Sequence, residues 1–151
     1  MTVSTRPETS EDEPFVRQLV LATVAQELGA ALWPDAVRGP LLEIQYSSRR
    51  KSIRDSYPGA SSAIVSVDGQ DAGWLVVAEL EDEIRLVEIM IDGGHQRQGI
   101  GSGLAKGILA RAGKPVRLTV SATNTGALHL YERLGFRRTG GNQVRHYMEY
   151  P

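Results

Sequence analysis

The sequence predicts an α+β domain, a mostly antiparallel sheet with helices on both faces. Three observations point there. Apolar residues recur at helical spacing in four separate stretches. The spacing switches to short strand-like runs between Ala63 and Ile91, and again after Pro115. The turns joining the first of those runs are too short for anything but antiparallel neighbours. With 151 residues the chain fits a single domain, residues 1–151, long enough to bury a substantial core.

Residues 3–6 form a short apolar-polar start. Ser10-Glu11-Asp12-Glu13 has the spacing of a capping box, and Pro14 sits where a first helical turn tolerates proline. Phe15, Leu19, Val20, Val24 and Leu28 form the stripe of a first helix, which Gly29 ends. Trp33-Pro34 and Gly39-Pro40 interrupt the next segment, after which Leu42, Tyr46, Ile53 and Tyr57 share a helical face up to Pro58-Gly59. Gln45 and Arg49 lie beside that face. Residues 63–67, 74–80 and 84–91 read as a three-stranded meander, with turns at Asp68-Gly69 and Glu81-Asp82-Glu83. Leu104, Ile108 and Leu109 mark a helix ending near Gly113, and residues 115–120 are again strand-like. Ala127, Leu128, Tyr131 and Leu134 mark a last helix stopped by Gly135, and final strands are expected near residues 136–138 and 143–150.

Composition narrows the class of function. Hydrophobic residues make up 41% and charged residues 23%, the proportions of a folded, water-soluble domain and not of a disordered or fibrous one. The absence of cysteine excludes disulfides and thiolate chemistry and fits a reducing setting. The segment MTVSTRPETSEDEP has no apolar core of the signal-peptide kind, and no apolar run approaches the roughly 18 residues of a membrane span. A cytoplasmic location without membrane association is therefore expected. A net charge of -1 argues against a general nucleic-acid partner, which needs a basic face. The local exception is SRRKSIR at residues 48–54, where Arg49, Arg50, Lys51 and Arg54 crowd together; its plainest reading is a solvated helix face.

The stretch IDGGHQRQGIGSGL, residues 91–104, holds five glycines directly after an apolar strand and directly before a helix. Such a junction aims unpaired backbone N–H groups and the positive end of the helix dipole at whatever sits there. Glycines let phosphate oxygens come against the backbone. Two familiar phosphate loops fail on spacing. Gly99, Gly101 and Gly103 put the third glycine one place early for a dinucleotide fingerprint. Gly113-Lys114 is followed by Pro115 where a P-loop needs Ser or Thr. A plain turn with a close helix–strand contact is the other reading of the glycines taken alone.

Gln96-Arg97-Gln98-Gly99-Ile100-Gly101 has the form Q/R-x-x-G-x-G/A, and about thirty residues on stands Asn124-Thr-Gly-Ala127-Leu-His-Leu-Tyr131-Glu-Arg-Leu-Gly135-Phe136. Together these resemble the GNAT superfamily of acetyl-coenzyme A-dependent acetyltransferases: the first its pyrophosphate loop, the second its N-x-x-A-x-x-x-Y-x-x-x-G-F helix. The stretch Leu86 to Ile91 is similar to that family's fourth strand, and the order of elements is similar over nearly the whole chain. Glu13-Pro14-Phe15, Gln45-Tyr46, Arg49-Arg50, Tyr57-Pro58 and Val67-Asp68-Gly69 resemble a subgroup of small bacterial members.

The resemblance implies a sheet whose fourth and fifth strands splay apart to admit the pantetheine arm of acetyl-CoA, the cosubstrate, along Ile89, Met90 and Ile91. It implies that Gln96, Arg97, Gln98, Gly99, Ile100, Gly101 and Ser102 hold the pyrophosphate, with charge added by Arg97, and that Asn124 contacts the coenzyme arm. Asn124 also stands where a helix cap would. The chemistry implied is acyl transfer from a thioester to an amine, with Tyr131 matching the general acid that protonates the leaving thiolate. A backbone N–H near Ile91 would meet the carbonyl oxygen. Glu88 is the candidate base, an ionisable group in an otherwise apolar strand; a glutamate on a wet face or paired with Arg85 is the even alternative. His95, His129 and His146 stand on no recognised position, and no spacing suggests a metal site. Gly93 and Gly126 replace frequent prolines of the family, and Ser121 replaces a common acidic residue of its fifth strand.

In this fold the second helix and the loop before it cover the acceptor, which points to Trp33, Gln45, Arg49 and Trp74 as substrate-binding residues. Arg49 or Arg50 there would favour an acceptor bearing a carboxylate; Trp33 and Trp74 are equally at home in a core. The acceptor implied by the resemblance is an amine of a small molecule or peptide. The competing functions are a coenzyme A-binding module without turnover and an acetyltransferase acting on aminoacyl-tRNA through residues 49–54. Family members are often homodimers, but no interface is legible in these residues.

Overall fold

The computed structural model describes all 151 residues. Seven strands, β1 (Val3–Pro7), β2 (Ser61–Val67), β3 (Gln70–Glu79), β4 (Ile84–Ile91), β5 (Val116–Ser121), β6 (Arg137–Gly141) and β7 (Arg145–Tyr150), form one sheet in the order β1-β2-β3-β4-β5-β7-β6. Every neighbouring pair is antiparallel except β4 and β5. The expected meander is β2-β3-β4, and Asp68 (φ 50°) with Gly69 (φ 84°) makes its first turn with both central residues left-handed, the conformation that matches the twist of a two-residue hairpin.

Four helices cover the sheet: α1 (Glu13–Leu28), α2 (Asp35–Ser56), α3 (Ile100–Arg111) and α4 (Thr125–Leu134). Strand alternation sends neighbouring side chains to opposite faces. Ile64, Trp74, Val76 and Met90 meet Val16, Leu19, Val20 and Val24 of α1 and Tyr46 of α2. Leu86, Val116, Leu118 and Met148 meet Ile108 of α3 and Leu128 and Tyr131 of α4, while Val65 and Val67 meet Ile100. No helix is long and apolar enough to cross a membrane.

Two local expectations shift. The capping box sits one residue earlier than Ser10–Glu13: the Thr9 N–H donates to Asp12 Oδ2 at 2.8 Å, and Arg6 holds the same carboxylate at 2.8–2.9 Å. Gly39-Pro40 does not interrupt the second helix, since α2 runs through Pro40. Proline removes one N–H bond near the start of the helix. Arg38 makes the start firm by donating to the carbonyl oxygens of Ala30 at 2.9 Å and Trp33 at 2.8 Å.

Candidate active site

The site begins where the sheet stops being a sheet. β4 and β5 pair only at Ile84–Val116 and Arg85–Arg117, after which they part. The β5-facing edge of β4 beyond Arg85 therefore has no ladder partner, and unpaired backbone donors and acceptors call for one. β5 stays paired with β7 on its other edge over its whole length, so the facing edges of β4 beyond Arg85 and of β5 beyond Arg117 both line the opening.

On the other edge of β4, Val76 pairs with Glu88 and Val77 with Leu86, so Val87 is an extra residue, a β-bulge. Leu86 packs with α4, whereas Val87 packs toward α1 and Glu88 bonds to α2. The bulge thus aims Glu88 under the helices, where its side chain is 12% exposed and its Oε1 accepts from Arg49 Nε at 2.8 Å. Arg49 also lies 3.9 Å from Glu27 of α1. Burial pushes the Glu88 carboxyl above its ordinary value, and the Arg49 charge opposes that without cancelling it. The partner of Glu88 is Arg49, not Arg85, which bonds instead to Tyr57 at 3.2 Å and Thr119 at 2.9 Å.

Tyr131 approaches from α4. It is buried, edge-on to Phe136 with ring centroids 5.4 Å apart, and burial with the nearby Glu88 charge pushes its phenol up to about 12. Packing and proximity to Glu88 are both true of this side chain.

At the far end of β4 the Gln96 side chain donates to the Ile91 carbonyl at 2.8 Å, tying the glycine loop to the strand. Arg97 (φ 64°) and Gly99 (φ 79°) are left-handed, and Arg97 is exposed. Left-handed non-glycine residues are uncommon and cluster at functional sites. The Gly103 N–H donates back to Gly99 O at 2.9 Å, so the N–H groups of Ile100, Gly101 and Ser102 lie ahead of the first backward bond of α3. A Cβ on Gly101 would point between Ile89 and Leu130, at 4.0 and 3.9 Å. Asn124 caps α4, its Oδ1 accepting from the Ala127 N–H at 3.1 Å, which leaves the amide nitrogen to donate elsewhere.

A cleft of about 450 Å³ opens under α2 on the Glu88 side. Of the four acceptor-side candidates, Gln45 and Arg49 line it, and Trp33 and Trp74 do not. Trp74 is a core residue, 1% exposed, with its indole N–H shared between Glu8 at 2.9 Å and Ser62 at 3.0 Å. Arg50 also lies outside the cleft. It covers the Trp74 ring and binds Glu8 at 2.9 Å and Glu13 at 3.2 Å, beside a second hollow of about 310 Å³. Sequence reasoning missed Glu27, Arg85 and Arg145 on the cleft wall. Ser121 is there as well. Glu27 had only its place between Val24 and Leu28 to mark it, and Arg145 only the alternation of its strand.

Residues 26–136 match the acetyltransferase (GNAT) family. The chain belongs to that family. Among curated relatives, the [ribosomal protein bS18]-alanine N-acetyltransferase of Escherichia coli strain K12 is 34% identical over 73 residues, 46% of this chain and 49% of that protein. The chain thus spans about half the length of the curated relatives it matches. Among GNAT structures, the PaiA N-acetyltransferase of Thermoplasma acidophilum in complex with coenzyme A superposes with a TM-score of 0.73 at 16% identity, covering 99% of this chain and 98% of that one. An Elizabethkingia anophelis GNAT acetyltransferase with acetyl-CoA bound superposes with a TM-score of 0.65 at 18% identity, covering 97% and 96%. These likenesses establish the GNAT fold, with its single parallel pair at the centre of a mixed sheet.

Proposed function

We propose that this GNAT protein transfers an acetyl group from acetyl-CoA to an amine by direct attack. The observation that carries the proposal is the parting of β4 and β5 after Arg85 beside the free first-turn N–H groups of α3, with the buried Glu88 on β4 near enough for its charge to act on the Tyr131 phenol. The unpaired edge of β4 suits a pantetheine arm with its own amides. The N–H groups of Ile100, Gly101 and Ser102 suit the pyrophosphate. The family match supports this donor, and the relatives that acetylate an alanine of a ribosomal protein support an amine as acceptor.

In this reading Glu88 takes a proton from the amine, directly or through water, as the new C–N bond forms. A β4 N–H near Ile91 receives the developing charge on the carbonyl oxygen. Tyr131 gives its proton to the sulfur as the C–S bond breaks. A phenol near 12 is a weaker acid than a thiol of about 8.5, so the resting enzyme keeps this proton throughout the neutral range. Part of that reluctance comes from the Glu88 charge. When Glu88 accepts the amine's proton the charge vanishes, and Tyr131 becomes a better acid at the moment one is needed.

Tyr131→Phe tests the assignment. Thiol release from acetyl-CoA with an accepted amine is expected to fall by roughly a hundredfold, the usual span for a lost general acid, while acetyl-CoA affinity by calorimetry stays the same. Undiminished turnover would take the role from Tyr131. A coenzyme-binding module without turnover has no use for this pair; acetyl-CoA binding with no thiol release in the presence of any amine would favour that module. The tRNA reading is weakened by charge pairing: Arg49, Arg50 and Lys51 are engaged by Glu88, Glu8 and Asp55.

A further inference from the structure

The cleft under α2 holds more positive charge than its own carboxylates neutralise. Its ionisable lining is Glu27, Glu88, Arg49, Arg85 and Arg145, with Tyr57 beside them. Arg49 is spent between Glu88 and Glu27. Arg85 is engaged by Tyr57 and Thr119 and lies 3.7 Å from Glu83 outside the cleft. The Arg145 guanidinium has no hydrogen bond or ion pair within the chain, although its backbone is fixed: its N–H donates to Asn142 Oδ1 at 2.9 Å and its carbonyl accepts from the Asn142 N–H at 2.9 Å.

Arg145 lies on the β7 wall of the same cleft. It is paired in register with Ser121, whose hydroxyl is 2.9 Å from that of Thr123, which in turn donates to the Glu27 carbonyl at 3.3 Å. The cleft therefore has Glu27 and Glu88 paired with Arg49 on the helix side and, on the β7 side, the exposed guanidinium of Arg145 without a partner. Its volume of about 450 Å³ lies in the range of small-molecule sites.

We infer that the acceptor is a small amino acid-like molecule, carrying a carboxylate as well as the amine, with Arg145 receiving the carboxylate. The inference rests on the function proposed above and leaves its chemical step unchanged. A guanidinium is matched to a carboxylate in charge and in planar geometry. An acceptor whose only charges are positive would add to the unneutralised cation and be disfavoured by it.

The experiment is thiol release from acetyl-CoA with α-amino acids, each compared with its own carboxamide, and with alkylamines and polyamines as carboxylate-free probes. The acids are expected to exceed their amides at least tenfold in kcat/KM. Arg145→Gln should bring the acids down to the level of the amides, chiefly through KM, and Arg145→Lys should restore part of the preference; the melting temperature checks that both variants fold. Equal use of acid and amide, or a preference that survives Arg145→Gln, would overturn the inference. Turnover of carboxylate-free amines alone would also overturn it and leave the proposed transferase standing. The absence of thiol release with every amine of either kind would instead bring down the proposed reaction.

Discussion

Arg49 and Glu88 form a buried pair whose balance is uneven. Removing a carboxylate from water raises its proton affinity, and a guanidinium at 2.8 Å lowers it; here burial prevails, so Glu88 stays above its ordinary range. That suits a base, which must hold a proton once it has taken one. The sign of the Arg49 contribution gives a prediction that needs no acceptor. A raised carboxyl is protonated at low pH and loses its proton only as the pH climbs past its folded value. With Arg49→Gln the opposing charge is gone, so the titration midpoint of the Glu88 carboxyl, followed by ¹³C NMR, is expected to move to higher pH than in the parent protein. A midpoint that stays put or falls would show that Arg49 does not tune Glu88. The upward direction of the shift was legible in the sequence, from a charge in an apolar strand, but the pairing with Arg49 was not. Glu88 stood out as a charge in an apolar strand, and Arg85 as its nearest cation along the chain. The bulge at Val87 sends Glu88 to the helix face, where Arg49 waits 39 residues away. Trp74 takes the core alternative that its residue type left open: its type fits both pocket and core, and only the fold reveals that Glu8 and Ser62 satisfy its N–H inside the core.

At the scale of elements, the sequence read well wherever local chemistry decides. The β4 limits fall where the apolar run ends, and Gly29 and Gly135 stop α1 and α4. It read less well where tertiary contacts override a local rule, as at Pro40, where the ties from Arg38 hold the start of α2. The glycines of this chain also divide by what surrounds them. A Cβ on Gly73 would lie 2.5 Å from the Met90 carbonyl, so that glycine serves the close approach of β3 to β4. A Cβ on Gly101 meets only ordinary contacts, so packing does not require glycine there. The proposed donor site calls for that bareness, since a side chain there would project toward Ile89 of β4 and Leu130 of α4. Gly101→Leu is therefore expected to fold with a near-parental melting temperature and to lose at least a hundredfold in acetyl-CoA affinity by calorimetry, because the side chain fills the approach to the first-turn N–H groups. Retained affinity would mean that the phosphate lies elsewhere.

The whole molecule is two half-domains that share one parted sheet. α1 and α2 pack on β3 and β4, while Ile84 and Leu86 of β4 join β5, β7, α3 and α4 in the other core, and the two halves of the sheet are joined through only two paired residues on each side of the β4–β5 seam. An arm lying in the seam would supply the missing partner to the β4 edge and touch both halves at once, so its binding should register in global stability and not merely in a loop. For a ligand that binds only the folded state, a concentration about a hundred times its dissociation constant adds roughly 2.7 kcal/mol. For a chain of this length that is a rise of about 5 to 10 °C in melting temperature. Acetyl-CoA is expected to produce that rise, and adenosine, which reaches neither the seam nor the α3 N-terminus with a phosphate, to produce none. A rise with adenosine alone would put the binding outside the seam. No rise with millimolar acetyl-CoA would leave the glycine loop as a turn and the open β4 edge without its occupant, and the transferase reading would fall with them.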